Sequence, residues 1–172
     1  MSNRKLSKYL TEAQYTYSQT AKLKKLKNNL TTVAQFKLAV VLGLQVVDPI
    51  GNYYKIQPTS ESGYRGPELN KAVKGVEGSD HCIHPERGGI AIDLNVLKID
   101  PKKLFNDVFT GKIKQANGKP LKDILDQMIY EERHTKQGVQ RWVHFGLRTV
   151  PRKEYLYTLN GSVYHTALTV IK

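Results

Sequence analysis

Apolar residues after position 30 follow the period of a helix. They recur at intervals of three, four, four and three positions, which places them on one face of an α-helix. These residues are Val33, Phe36, Val40, Leu44 and Val47. Thr31 or Thr32 would cap the start of this helix, and Pro49 followed by Gly51 predicts its end.

Shorter patterns predict several more helices. The N-terminal stretch to Leu30 indicates a short helix, a turn and a basic helix over Ala21–Asn29. Proline in the first turn and glycine after the last turn are typical helix boundaries. The further predicted helices are Pro67–Val73, Pro101–Phe109 and Leu121–Leu125.

Short apolar or alternating runs predict the strands. They are Tyr53–Gln57, Ile90–Leu94, Met128–Glu131 and Trp142–Leu147. Residues Tyr155–Val170 centre on Asn160-Gly161, a dipeptide typical of a two-residue hairpin turn. Helices and strands are mixed without regular alternation, which favours an α+β fold with a small, mostly antiparallel sheet.

The length of 172 residues suits one domain. No internal repeat or low-complexity segment is visible. We therefore predict a single domain in three parts. A basic helical segment covers residues 1–30, a core with the functional motifs covers residues 31–150, and a C-terminal hairpin packed on the same domain covers residues 151–172.

Net charge is the unusual feature of the composition. The chain has 27 Lys and Arg against 15 Asp and Glu, which gives a formal net charge of +12. Such a protein attracts polyanions, whether nucleic acid, anionic lipid or an acidic cell-wall polymer. Charge alone does not choose among these partners.

Other features argue against two classes of protein. The single cysteine, Cys82, excludes an internal disulfide framework. The most apolar run, Leu38–Leu44, is much shorter than the about 20 residues of a membrane-spanning helix. The N-terminus has no apolar signal-peptide core, so no signal peptide is expected.

Histidines and one aspartate occur in contexts that suit a metal site. His81 and His84 lie in a polar loop, and His144 lies in an apolar strand. Asp93 interrupts another apolar strand, where a buried carboxylate needs a partner. Two imidazoles and one carboxylate on neighbouring elements are typical of zinc with an open fourth position. Cys82 is either a further soft ligand or a small buried residue.

Several short motifs occur in a fixed order. They are Ser62-Gly-Tyr-Arg65, Pro67-Glu-Leu-Asn-Lys-Ala-Val73, Ser79-Asp-His81, Gly89-Ile-Ala-Ile-Asp93, Asp126-Gln-Met-Ile-Tyr-Glu131 and Trp142-Val-His144. With them the chain resembles, roughly from Leu6 to Leu147, the zinc D-Ala-D-Ala carboxypeptidase and L-Ala-D-Glu endopeptidase family. That family includes many phage endolysins and shares the fold of the hedgehog signalling domain.

The resemblance implies a role for each motif. Its zinc ligands are His81, Asp93 and His144. Glu131 would be the general base and proton shuttle, and Arg65 would bind a substrate carboxylate or stabilise the developing oxyanion. Further contacts to the substrate or the metal loop would come from Tyr64, Ser79 and Trp142. Of these, Tyr64 and Trp142 are alternatively packing residues.

The spacing of the proposed ligands departs from the family pattern. Asp93 follows His81 by twelve residues instead of seven, which indicates a five-residue insertion within residues 82–88. Because the insertion adds His84, that histidine is an alternative ligand to His81.

The second departure concerns the general base. Arg141 stands where many members of the family carry an acidic residue, and arginine cannot act as a base. Glu131 matches the base of the most similar subgroup. Strand alternation is expected to send Glu132 to the opposite face.

We therefore expect a zinc-dependent peptidase that hydrolyses bacterial peptidoglycan, with stem peptides and anionic cell-wall polymers as partners. As a phage endolysin or virion-associated lysin, it would be made in the host cytoplasm and reach the wall at lysis, or travel in the virion. The alternative is a non-hydrolytic zinc-containing binding module of the same fold. A basic nucleic-acid-binding protein is a third interpretation, although no nucleic-acid-binding signature is present.

Overall fold

A mixed sheet organises the fold. The structure, a computed structural model, describes residues 3–161, 163–167, 169 and 171. Within these residues the sheet has six strands: β1 (Pro58–Ser62), β2 (Ile90–Val96), β3 (Gln127–Thr135), β4 (Gly138–Leu147), β5 (Glu154–Thr158) and β6 (His165–Thr166). Their spatial order is β1-β2-β4-β3-β5-β6. Only β3 and β5 pair in parallel, so the predicted α+β class with a mostly antiparallel sheet is confirmed.

Short helices surround the sheet. They are α1 (Glu12–Thr16), α2 (Gln19–Leu23), α3 (Val33–Leu42), α4 (Asp48–Tyr54), α5 (Pro67–Ala72) and α6 (Pro101–Phe109). A π-helical turn, Gly43–Val47, joins α3 to α4, and shorter 3-10 turns occupy Asp80–Cys82, Pro85–Arg87 and Leu121–Ile124. The helices predicted to begin at Pro67 and Pro101 are confirmed, whereas the one predicted from Leu121 is a 3-10 turn.

The long helix formed by α3, the π-helical turn and α4 buries a face that includes only part of the predicted stripe: Val47 is fully buried, and Phe36 and Val40 pack partly buried against the core. Val33 is 72% exposed and Leu44 is 55% exposed, whereas Ala39, Leu42 and Val46 are fully buried. The predicted stripe was wrong at Val33 and Leu44, because this helix carries apolar side chains on most of its sides. No single face therefore stands out in the sequence.

The predicted end of this helix at Pro49 was also wrong. The π-helical turn precedes Pro49, which therefore lies in the first turn of α4, where a missing N–H costs little. The helix continues to Tyr54 and ends where Lys55 adopts a left-handed conformation. The strand predicted over Tyr53–Gln57 is therefore wrong, and β1 begins at Pro58.

Together these segments make one continuous helix of 22 residues, Val33–Tyr54. By length and composition alone it could cross a membrane, since its most apolar part has a mean hydropathy of 1.5. It is the one such helix among the described residues, and 39% of that apolar part is buried inside the protein. Core helices of globular proteins pass the same test, so the argument from Leu38–Leu44 against a membrane span stays a prediction.

The basic N-terminal helix is shorter than predicted. α2 ends at Leu23, so the helix predicted over Ala21–Asn29 was wrong beyond its first turn. Lys25 has a positive φ of 54°, which interrupts helical geometry. The chain then runs without regular structure to Leu30.

The N-terminal segment packs into the same core as the rest of the chain. Asn28 ties it to the loop after β1: its Nδ2 donates to the carbonyls of Thr16 and Tyr64 at 2.7 and 2.9 Å, and its Oδ1 accepts from the Gly66 N–H at 2.8 Å. Four apolar side chains of the segment belong to the hydrophobic core: Leu6, Leu10, Tyr15 and Leu30.

The two faces of the sheet have different environments. One face contacts α3 and α6, and its core residues alternate along the central strands. They are Ile92, Leu94, Met128, Tyr130, Val143 and Phe145. Alternation sends the intervening side chains, including Asp93 and His144, to the other face. Polar groups from several strands therefore collect on that second face.

The C-terminal strands form a hairpin, but with a longer loop than predicted. β5 lies beside β3 and pairs with β6. The two-residue turn predicted at Asn160-Gly161 was wrong, because residues 159–164 connect the strands. In this wider turn Thr158 Oγ accepts the Gly161 N–H at 3.0 Å. Of the predicted hairpin Tyr155–Val170, three residues lie outside the described part of the chain: Ser162, Leu168 and Val170.

Candidate metal centre

β2 and β4 place two of the predicted ligands side by side. Asp93 and His144 are direct partners across this antiparallel pair. Both are buried, with 5% and 9% of their surface exposed. Directly opposed side chains on one face lie within contact distance. The residues on either side of them face the core, which fixes the orientation of both side chains.

His81 joins them from the 3-10 turn Asp80–Cys82. The loop after β1 holds this turn, since the Arg65 N–H donates to the His81 carbonyl at 2.9 Å. The His81 ring makes a second contact, in which Nδ1 lies 2.7 Å from the Gly63 carbonyl. A carbonyl oxygen can only accept, so Nδ1 carries the proton and the Nε2 lone pair points to the other two residues.

The three side chains have the spacing of a metal-ligand set. His81 Nε2 lies 3.3 Å from both His144 Nδ1 and Asp93 Oδ1. His144 Nδ1 lies 2.9 Å from Asp93 Oδ1. Tetrahedral zinc with bonds of about 2.0–2.1 Å holds its ligand atoms about 3.3 Å apart. His81, Asp93 and His144 could together hold a metal ion, and we call them the metal group.

The protonation states of the group suit a cation. Burial lowers the pKa of His81, so its imidazole is neutral at pH 7. Burial opposes ionisation of Asp93, but the His81 and His144 rings outweigh it and hold the pKa of this carboxyl well below its usual range. One carboxylate oxygen and one ring nitrogen lone pair therefore meet and need a shared positive partner.

Glu131 lies on the same face of the sheet. It is two residues along β3 from Ile129, which pairs with His144, and its own partner on β4 is Trp142. Burial raises the pKa of Glu131, and the negative charge of Asp93 raises it further. A carboxyl group with a raised pKa beside a candidate metal group suits a general base.

Glu132 points to the opposite face, as strand alternation predicts. It accepts from Arg141 Nε at 2.7 Å and from the Tyr130 hydroxyl at 3.0 Å. These hydrogen bonds lower the pKa of Glu132 to about 2, and the bond from Arg141 has the largest effect. Arg141 is therefore engaged on the far side of the sheet from the metal group.

Arg65 reaches the metal group from the loop after β1. Its Nη2 lies 3.5 Å from Asp93 Oδ2, and its Nε donates to Ser62 Oγ at 3.2 Å. The side chain is 20% exposed. A guanidinium has five N–H groups, so it can contact Asp93 and still bind an anion in the space above the sheet.

The other predicted contact residues lie around this space. Tyr64 is only 5% exposed and belongs to the core. It therefore supports the side of this space from within the core and offers little surface to a substrate. Trp142 is half-buried, and the Arg133 guanidinium lies 5.5 Å from the centre of its ring. Ser79 is half-buried, and its carbonyl lies 3.0 Å from His84 Nε2.

The two alternative ligands lie outside the metal-ligand group. The inserted loop closes on itself, because His84 and Gly89 exchange both backbone hydrogen bonds at 2.7 and 2.9 Å. The ring of His84 then contacts the Ser79 carbonyl and, at 3.3 Å, Glu86. Burial raises the pKa of the Cys82 thiol, so it stays protonated at neutral pH. The structure thus brings His81 to the group and directs His84 away from it.

An ion-pair network beside His81 was not found from the sequence. The buried Asp80 accepts from Arg87 and Arg148, each at 2.9 Å. The fully buried Asp126 accepts from Arg152 Nη2 at 2.6 Å. Asp80 and Asp126 both lie within the motifs, but Arg87 belongs to the inserted loop and Arg148 and Arg152 follow the last motif, so the motifs gave no signal for these pairs. The network anchors the turn that carries His81.

A cleft of about 1360 Å³ covers the site face of the sheet. Its walls include the metal group, Glu131 and Arg65, together with Tyr17 and Ser18 before α2 and Tyr164 near β6. Clefts that bind small ligands commonly have volumes of about 300–1,000 Å³. This one is therefore large enough for an extended peptide.

No family model, curated protein or solved structure matches this chain. The family resemblance therefore stays a prediction. A function has to be argued from the geometry of the chain's own residues.

Proposed function

We propose that the protein is a zinc-dependent peptidase that hydrolyses peptide bonds of bacterial peptidoglycan. The observation that carries the proposal is the spacing of His81 Nε2, Asp93 Oδ1 and His144 Nδ1, which fits three corners of a zinc tetrahedron. The choice of peptidoglycan rests on the ordered motifs. On the same basis, the protein would act as a phage endolysin or a virion-associated lysin.

The residues around the metal group supply the remaining parts of a hydrolytic mechanism. When bound, zinc would supply Lewis acidity, which makes water a nucleophile near neutral pH and polarises a carbonyl. Glu131 accepts the proton of the attacking water and delivers it to the leaving amine, which its raised pKa favours. Arg65 stabilises the negative charge that develops on the carbonyl oxygen or binds a substrate carboxylate.

Charge around the cleft supports an acidic peptide as the substrate. Its lining includes Arg65 and Arg133, together with Arg148 and Arg152, which also pair with the buried Asp80 and Asp126. Peptidoglycan stem peptides carry carboxylates, and wall polymers are commonly anionic. The net charge of +12 would therefore concentrate the protein at the wall.

The test combines metal content with hydrolysis. Bound metal is measured by mass spectrometry, and release of amino groups from purified peptidoglycan is measured on the same samples. His144→Ala is expected to lose zinc, while His165→Ala, on the exposed strand β6, keeps it. Glu131→Gln is expected to keep zinc and lose hydrolysis by at least about 100-fold. Glu132→Gln on the opposite face keeps both.

Two results would change the proposal. Zinc bound without hydrolysis of any wall type would favour a non-hydrolytic zinc-containing binding module. Absence of bound metal in the wild type, under conditions that supply zinc, would refute the metal site itself. In that case the basic surface would be the best remaining indication of function, and binding to nucleic acid would be tested next.

A further inference from the structure

The loop between β5 and β6 begins beside the general base. Thr158, the last residue of β5, pairs with Glu131 of β3. The chain therefore leaves the sheet at the level of Glu131 and returns at His165, which pairs with Tyr157. This register brings residues 159–161 and 163–164 to the end of the sheet where the candidate site lies.

Hydrogen bonds hold the described part of this loop in place. The buried Thr158 accepts the Gly161 N–H through its Oγ, and Asn160 Oδ1 accepts the Val163 N–H at 3.2 Å. Gly161 has a φ of 72°, and a Cβ there would lie 3.5 Å from Arg133 Nε. Arg133 is two residues beyond Glu131 on the same face, so the loop packs against the site side of the sheet.

Tyr164 brings a phenol into the cleft from this loop. It lines the cleft together with Glu131, Arg133 and Trp142, and it is 48% exposed. Burial raises the pKa of Tyr164, and the negative charges of Glu131 and Asp93 raise it further. The hydroxyl therefore stays protonated well above neutral pH and remains a hydrogen-bond donor.

We propose that Tyr164 contacts the substrate, and that its hydroxyl donates a hydrogen bond to a carbonyl oxygen of the bound peptide. The inference rests on the proposed function and adds a contact to it. The position of Tyr164 beside the general base carries the argument, together with the absence of a hydrogen-bond partner for its hydroxyl among the described residues. Tyr164 lies beyond Leu147, where the motifs end, so the hairpin extends the binding site of this chain.

The test compares two tyrosines of the same hairpin. Tyr164→Phe removes only the hydroxyl. Tyr157→Phe makes the same change on β5, where Tyr157 pairs with the core residue Tyr130 and faces away from the site. Binding of a soluble peptidoglycan stem pentapeptide is measured by calorimetry on zinc-loaded protein with Glu131→Gln, which prevents turnover.

We expect Tyr164→Phe to weaken binding by about 3- to 10-fold, the loss expected for one hydrogen bond between neutral groups. Tyr157→Phe should leave the dissociation constant unchanged. In the protein with Glu131, Tyr164→Phe should raise KM by a similar factor while zinc content and thermal unfolding stay as in the wild type.

The outcomes separate this inference from the proposed function. If the protein with both tyrosines binds the stem peptide and the two phenylalanine variants bind it equally well, the role of Tyr164 is overturned and the peptidase proposal stays intact. Binding without hydrolysis, weakened only by Tyr164→Phe, would support the contact and overturn peptidase activity. A protein that binds no stem peptide at all would overturn both.

Discussion

Gly63 offers a sharp test of how the loop after β1 supports the metal group. Its carbonyl accepts from His81 Nδ1 at 2.7 Å. A Cβ at this position would lie 2.1 Å from the Tyr15 carbonyl oxygen and 2.5 Å from Tyr15 Cδ2. Tyr15 is fully buried, and its carbonyl also accepts the Tyr64 N–H at 2.8 Å. Neither atom can move away without breaking other contacts.

We therefore expect Gly63→Ala to lower the free energy of unfolding and the affinity for zinc. Forcing extra volume into a packed core costs about 1–3 kcal/mol. That cost exceeds the gain of about 0.4–1 kcal/mol that alanine brings by restricting the unfolded chain. Displacement of the carbonyl that orients His81 should weaken zinc binding by about 10- to 100-fold, as expected when a residue that supports a ligand is lost.

The measurements are urea unfolding of the metal-free protein and competition for zinc with a coloured chelator. Gly66→Ala is the matched control, because a Cβ there would find its nearest neighbour, Asn28 Oδ1, at 3.5 Å. It should remain within about 1 kcal/mol of the wild type with unchanged zinc affinity. Wild-type stability and zinc affinity in Gly63→Ala would refute the argument.

Three other changes have expected outcomes. Because the pKa of Glu131 is raised, the acidic limb of the pH profile of kcat/KM should lie above the usual glutamate value of about 4.3, and a limb at or below that value would contradict its role as the base. Asp126→Asn should lower the free energy of unfolding by about 2–4 kcal/mol at pH 7. This loss is smaller than that for breaking a fully buried ion pair, because the Arg152 side chain is 38% exposed. Burial raises the pKa of Asp126, but the hydrogen bonds from Arg152 lower it more, so the pKa is lower in the folded than in the unfolded protein. The stabilisation from this pair therefore exists above about pH 4 and is lost as the pH falls through the folded pKa. Urea unfolding from pH 7 to 3 should show a weaker pH dependence for Asp126→Asn than for the wild type. Removal of metal with a chelator should lower Tm and abolish hydrolysis, and stoichiometric zinc should restore both; a Tm that does not change would count against a metal bound to the folded state.

Strand residues of the site were the most predictable part of the molecule. Asp93 and His144 interrupt apolar runs, and alternation alone places both on the face opposite the core. Glu131 and Glu132 were separated by the same rule. Local periodicity determines these orientations, so the sequence was sufficient for them.

Long-range packing determines the features that were not predicted. The buried face of Val33–Tyr54 depends on which side meets the sheet, and a helix that is apolar on most sides carries no such signal. Beyond α2 the predicted basic helix is replaced by irregular chain, in which Asn28 bonds to the carbonyls of Thr16 and Tyr64, and local sequence carries no signal for these contacts. Arg148, one of the two arginine partners of Asp80, lies 68 residues further along the chain, and no local spacing connects the two.

The side chain of Asn28 also bears on how this protein can be recombined with others. One amide joins the segment before α3 to both ends of the loop that carries Arg65, through the Tyr64 carbonyl and the Gly66 N–H. The lysine-rich N-terminal region therefore cannot be exchanged as an independent cassette. A chimera that replaces residues 1–30 with a foreign targeting module would remove a support of the loop beside the candidate metal ligands, whereas a module fused ahead of residue 1 would preserve it.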